Sequence, residues 1–174
     1  EGVGIAFTQA GDLFDATRNV DGFVRVSAAI KTAAVNLSKM SNDLRLLSSG
    51  PKAGIGEINL PAKQNGSSIM PGKVNPVIPE VVSQVAFRVI GNDLTITMAA
   101  ESGQLELNAF EPIIFHSLFE SIDCLTHAVA TLTANCITGI QANEMICYKQ
   151  VEESAGIATV PCARVGHHKT KAHT

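Results

Sequence analysis

The stretch FVRVSAAIKTAAVNLSKMSNDLRLL, residues 23–47, decides the fold. Its apolar residues Phe23, Val26, Ile30, Ala33, Leu37, Met40, Leu44 and Leu47 recur at alternating steps of three and four without a break. An α-helix turns once every 3.6 residues, so this spacing draws one stripe along one face, a heptad-type seam. Asp12 or Thr17 marks the approach to this helix, and Gly50-Pro51 stops it. At ~1.5 Å per residue the stripe runs roughly 35 Å, which suits a long bundle better than a compact globule.

Two more helices follow from the same reasoning. Pro79 suits a first helical turn and Glu80 places a carboxylate near the positive end of the helix dipole, so a helix is expected over 79–100. Val82, Val85, Val89 and Ile96 give it an apolar face, while Ser83, Gln84, Asn92, Asp93, Thr95 and Thr97 make it polar for a core element. Polar groups on a buried helix need partners, which predicts hydrogen bonds between helices or a subunit interface. A third helix is expected over the run Leu107, Phe110, Ile114, Leu118, Ile122, Leu125, Val129, Leu132 and Cys136, ending near Gly139. After the polar break Gln141-Ala142-Asn143, a short helix is expected over 143–154. The fold class is therefore all-α, a long-helix bundle. Residues 1–140 read as a central helical-bundle region, and 141–174 as the start of a small, incomplete C-terminal region.

Composition excludes several functions. Thirteen basic and sixteen acidic residues give a formal charge of −3, no footprint for nucleic acid or an anionic membrane. Aromatic residues make up 5% with no Trp, which argues against base-stacking platforms. No apolar run is long enough to span a bilayer and no signal segment opens the chain, so a cytoplasmic protein is expected. Cys124, Cys136, Cys147 and Cys162 are widely spaced with no CxxC pair, and read as packed, reduced thiols rather than as zinc ligands. His167, His168 and His173 lie in a lysine-interrupted tail and read as solvated, and His116 and His127 as packed or surface side chains. No metal site is expected.

Between the first two long helices the chain changes character. Residues 51–65 carry Gly54, Gly56 and Pro61 and few periodic apolar positions, an irregular connection into Gly66-Ser67-Ser68-Ile69-Met70-Pro71-Gly72-Lys73-Val74-Asn75-Pro76. Asn65-Gly66 favours a turn, and Pro71 and Pro76 forbid a continuous helix. This loop, 66–76, offers two hydroxyls, an ammonium and a carboxamide. Lys73 can meet a carboxylate or charge developing in a transition state, and Asn75 can donate and accept through its amide. The same residues also suit a plain surface turn with Ser68 or Asn75 capping a helix.

GSSIMPGKVNP resembles the signature loop of the aspartase/fumarase superfamily, enzymes that break a C–N or C–O bond by β-elimination and release fumarate. Residues 42–51 (NDLRLLSSGP), 57–61 (EINLP), 77–82 (VIPEVV) and 103–108 (GQLELN) are similar to the aspartate ammonia-lyase branch in particular. The resemblance covers nearly the whole chain and weakens after Thr159, where Cys162-Ala163-Arg164 stands in place of the Asn-Pro pair usual before Gly-His-His.

The resemblance implies that Ser67 is the general base removing a Cβ proton from L-aspartate, with Ser68 the alternative base and a substrate-binding hydroxyl. It implies that Lys73 holds a substrate carboxylate, that Asn75 hydrogen-bonds the substrate, and that Glu80 pairs with a substrate-binding histidine from an earlier part of the chain. It also implies a small dicarboxylate substrate, L-aspartate or fumarate, no cofactor, and a homotetramer with active sites shared between subunits. The family draws on two further motif regions upstream of anything in this chain, so the chain is expected to be part of an enzyme and inactive alone. A class II fumarate hydratase shares the loop but commonly carries a Thr-Gln pair at Val77-Ile78. Argininosuccinate and adenylosuccinate lyases usually carry bulkier or basic residues at Gly72 and Val74. A non-catalytic structural or oligomerisation fragment is the reading from a different class.

Overall fold

The computed structural model describes residues 4–66, 69–70 and 74–154. In chain order these form α1 (Leu13–Arg18), α2 (Asp21–Leu47), β1 (Ile58–Asn59), α3 (Val77–Glu101), α4 (Glu111–Asn135), a 3-10 turn (Ile137–Gly139), β2 (Gln141–Ala142) and α5 (Glu144–Glu152). The described residues gather into two compact units, one lying within 4–42 and 78–132, the other within 43–77 and 133–154. The mainly helical architecture expected from the sequence is what the chain adopts.

In the first unit Asp12 does not open the long helix. Its carboxylate accepts the N–H groups of Phe14 and Asp15 at 2.9 and 3.1 Å and so caps the short α1. The chain restarts at Asp21, whose N–H donates to Asn19 Oδ1 at 2.9 Å.

The seam on α2 is half right. Phe23, Ile30, Leu37 and Leu44 are partly buried, but Val26 and Met40 are 48% and 49% exposed, and the buried line runs instead through Val20, Ser27, Ala34 and Ser41. These are seven residues apart and mostly small, so the neighbouring helix can approach closely. Hydrophobic periodicity looks for large apolar residues and passes over a buried serine. Here Ser27 is buried because its hydroxyl donates to Asp93 on α3 at 2.8 Å, and Lys31 pairs with the same carboxylate at 2.5 Å.

Ala34 packs with Ala86 and Val89, so partners rise along α2 as they fall along α3, and the two helices are antiparallel. Helix α4 returns beside α3 in the same way. Ile96, Ala99, Ile114 and Leu118 form a core with Val20, flanked by Phe23 and Ile30. Phe23 meets Phe115 edge-on at 4.9 Å between ring centres, a favoured aromatic geometry.

The expected bonds between helices are present. Asn92, buried on α3, donates to Ser117 O, Ser121 Oγ and Glu120 Oε2 on α4. Arg88 adds a two-pronged contact to Glu120 at 3.0 and 3.1 Å. These bonds hold the Glu120 carboxyl below its ordinary range, Asn92 first and Arg88 second. The same recruitment corrects the third helix: Ser117 and Ser121 face inward, while Ile122 and Val129 face outward. Leu107 and Phe110 precede α4 because Asn108 interrupts the run. Its amide donates to the carbonyls of Ala99 and Ala100 at the end of α3, and its Oδ1 accepts the Phe110 N–H.

The second unit contains the one short sheet of the described residues. β1 pairs antiparallel with β2, Ile58 opposite Ala142 and Asn59 opposite Gln141. Residues 58–59, read from sequence as irregular, are thus a paired strand.

Candidate functional site

Of the expected site residues, Asn75 and Glu80 are among those the structure describes; Ser67, Ser68 and Lys73 lie outside them. Asn75 is half-buried just ahead of α3, and its carbonyl accepts the Val77 N–H at 2.9 Å. The three residues from Asn75 into the helix are thereby turned, and Pro76 rules out a helical start any earlier. Pro79 falls in the first turn of α3, where its missing N–H leaves no helical carbonyl unpaired. Glu80 is the acidic residue of that turn, half-buried, with the helix dipole favouring its charge.

The segment that leads into the loop is built differently. Gly54 lies so close to Ser49 that a Cβ there would sit 2.5 Å from the Ser49 carbonyl, and its φ of 150° lies in the region favouring glycine. Ser49 Oγ accepts the Ile55 N–H at 3.0 Å and donates to Leu46 O at 2.6 Å, tying the segment to the end of α2. Gly139 packs against the next fixed point, since a Cβ there would meet Pro61 Cγ at 2.5 Å. Between them, Asn143 at the head of α5 donates its N–H to Glu57 O at 2.8 Å and its amide N–H to Gly56 O at 2.6 Å, and accepts from Asn59 Nδ2 at 2.6 Å. Sequence reasoning marked Asn143 only as part of a polar break. Its partners lie more than eighty residues earlier, so only the fold brings them together.

Other chemistry-bearing side chains stand apart from these. Cys136 is buried, which pushes its thiol up; Cys147 Sγ donates to Glu57 O at 3.5 Å; Cys124 is half-buried; Cys162 lies outside the described residues. His116 and His127 are both exposed on α4, with His127 Nδ1 2.9 Å from Asp123 O. The tail histidines lie outside the described residues. Among the described residues no cluster of His, Cys, Asp or Glu is arranged to hold a metal ion, and no helix is long and apolar enough to cross a membrane. A shallow, largely apolar groove runs between α3 and α4 past Val81, Val85, Cys124 and His127, and holds none of the expected site residues.

The sequence profile of a family described as "Lyase" matches residues 2–91. The chain is 56% identical over 170 residues to the aspartate ammonia-lyase of Helicobacter pylori, covering 98% of this chain and 36% of that protein. It is 55% identical over 168 residues to the aspartate ammonia-lyase of Escherichia coli, covering 97% of this chain and 35% of that one. The chain thus spans about a third of the length of the curated relatives it matches. Among solved structures it is similar to the fumarate lyase:delta crystallin of Brucella melitensis, with a TM-score of 0.91, 53% identity, and coverage of 97% of this chain and 39% of that one. It is also similar to the class II fumarase of Schistosoma mansoni, with a TM-score of 0.89, 37% identity, and coverage of 95% and 35%.

Proposed function

Because this chain belongs to the aspartase/fumarase superfamily of lyases, we propose that it carries part of an active site for the reversible elimination of ammonia from L-aspartate to give fumarate. The observation that carries the reading is the difference in likeness: 55–56% identity to proteins named aspartate ammonia-lyase against 37% to a class II fumarase, over similar shares of the chain. Val77-Ile78 in place of Thr-Gln points the same way.

In this reading Ser67 removes the Cβ proton and Lys73 holds the carboxylate next to that carbon. Asn75 and Ser68 hydrogen-bond the substrate, and Glu80 supports a histidine of the site. The proton to be removed is α to a carboxylate, so its loss builds an enediolate-like dianion that needs strong positive and hydrogen-bonding support. Lys73 supplies charge there. A serine hydroxyl is a poor base unless ionised, so backbone N–H groups and nearby positive charge must favour its alkoxide. Proton transfer and electrostatics suffice for the step, and no cofactor takes part. The site is shared between subunits of a homotetramer. Outward-facing Val26, Met40, Phe87, Leu94 and Met98 in the first unit support such an assembly, since exposed apolar side chains in this number mark an interface.

The test is to incubate the whole enzyme of which this chain carries part with fumarate and ammonium and identify the product by NMR. Aspartate is the expected product; malate without aspartate moves the assignment to the fumarate hydratase reading, which the class II fumarase likeness supports. Ser67→Ala is expected to abolish turnover while shifting stability by no more than about 0.5 kcal/mol. If that variant keeps most of its activity, Ser67 is not the base.

A further inference from the structure

We infer that Asn143 is a positioning residue: it holds the segment Ile55–Pro61, and through it sets where the chain enters the loop 66–76. Its importance for catalysis rests on the reading of that loop given above.

An asparagine at the head of a helix ordinarily turns its side-chain oxygen onto the helix's own first N–H groups. Asn143 makes no such bond. Its three polar groups other than its helical carbonyl all point across to the earlier segment, at 2.6–2.8 Å, to Gly56 O, Glu57 O and Asn59 Nδ2. The same face of α5 continues the hold. Cys147 and Gln150, four and seven residues on, donate to Glu57 O and Ile55 O. Three successive carbonyls, at 55, 56 and 57, are therefore each bound by a group of α5 or its cap.

Ile58 and Asn59 pair with β2, and Pro61 is held against Gly139. A segment with so little regular structure has carbonyls that no helix or wide sheet satisfies, and this set of donors replaces both. Asn143 is central because it alone binds two of those carbonyls and a side chain, and because Gly56, at φ 65°, presents its carbonyl from a left-handed conformation. A shift of about 1 Å in a catalytic segment costs on the order of 100-fold in rate, so the hold on this segment matters to any chemistry the loop performs.

The experiment compares the whole enzyme of which this chain carries part, as wild type, Asn143→Ala and Asn143→Asp, by hydrogen exchange, thermal unfolding and steady-state kinetics with aspartate. Asn143→Ala is expected to speed exchange selectively at residues 55–60 and to lower kcat/KM by about 10–100-fold at a nearly unchanged Tm. Asn143→Asp keeps the acceptor for Asn59 but sets an oxygen against Gly56 O, so it is expected to be no better than Ala. Unchanged exchange at 55–60 overturns the inference. So does a loss of activity that follows a uniform rise in exchange and a fall in Tm, which would make Asn143 merely structural. If Asn143→Ala does not fold, Gln150→Ala, which removes one exposed bond to the same segment, is expected to speed exchange near Ile55 alone; no change there overturns the inference. If the whole wild-type enzyme forms neither aspartate nor malate, the proposed function fails while the exchange result still decides the anchor.

Discussion

In the unit of α2, α3 and α4 the long helices satisfy their own main chain, and side chains meet side chains: Ile114, Leu118 and Ile96 in the core, Asp93 with Ser27 and Lys31, Asn92 with Ser117, Glu120 and Ser121. In the unit that carries the loop the order is reversed, and side chains bind main chain: Asn143 to Gly56 and Glu57, Gln150 to Ile55, Ser49 to Ile55. The first arrangement gains stability by burying apolar area; the second fixes the path of an irregular segment and buries little. The two units thus rest on different interactions, and substitutions should separate them.

The largest effect is expected in the core. Leu118→Ala, at a side chain 5% exposed, should cost about 2–5 kcal/mol in denaturant unfolding. A cost well under 1 kcal/mol would mean that the helical unit is not held by packing. Next come two glycines given the same methyl group. At Gly139 the added carbon meets Pro61 Cγ at 2.5 Å, a ring atom with little freedom to move, so Gly139→Ala should destabilise by about 1–3 kcal/mol. At Gly91, exposed within α3, nothing lies within 4 Å, so Gly91→Ala should stabilise by up to about 1 kcal/mol through helix propensity. Equal effects at the two positions would break the contrast between the units.

The smallest effect is one of pH. The Glu120 carboxyl is held below its ordinary range in the folded protein, so its contribution is present above the unfolded-state value and is lost as pH falls through the depressed folded one. The difference in urea midpoint between wild type and Glu120→Gln should accordingly shrink on acidification from neutral pH. A gap that widens instead would reverse the sign of the shift.

How much was legible in the sequence follows from the same contrast. The second long helix, expected over 79–100, runs Val77–Glu101, and the short one, expected over 143–154, runs Glu144–Glu152. Their periodicity and their prolines and polar breaks are local signals. Which face of each helix lies inward was less legible, because Ser27, Ser41, Ser117 and Ser121 are buried by small size or by partners on another helix. The pairing of residues 58–59 with 141–142 left no local trace, since a two-residue strand has no alternation to read. At the proposed site, Asn75 and Glu80 were expected from the loop's chemistry and from resemblance, whereas Asn143 would have needed the contact itself.

Asn92 and Asp93 are neighbours in sequence, and on a helix neighbours point about 100° apart. One grips α4 and the other α2. The pair therefore works like a key with two teeth: turning α3 by a single residue about its axis, or sliding it by a turn, would strand both buried groups at once. An all-leucine α3 could bury as much area in several orientations, whereas this α3 has one, and the direction in which its first turn presents Glu80 is set some three turns away from Glu80 itself.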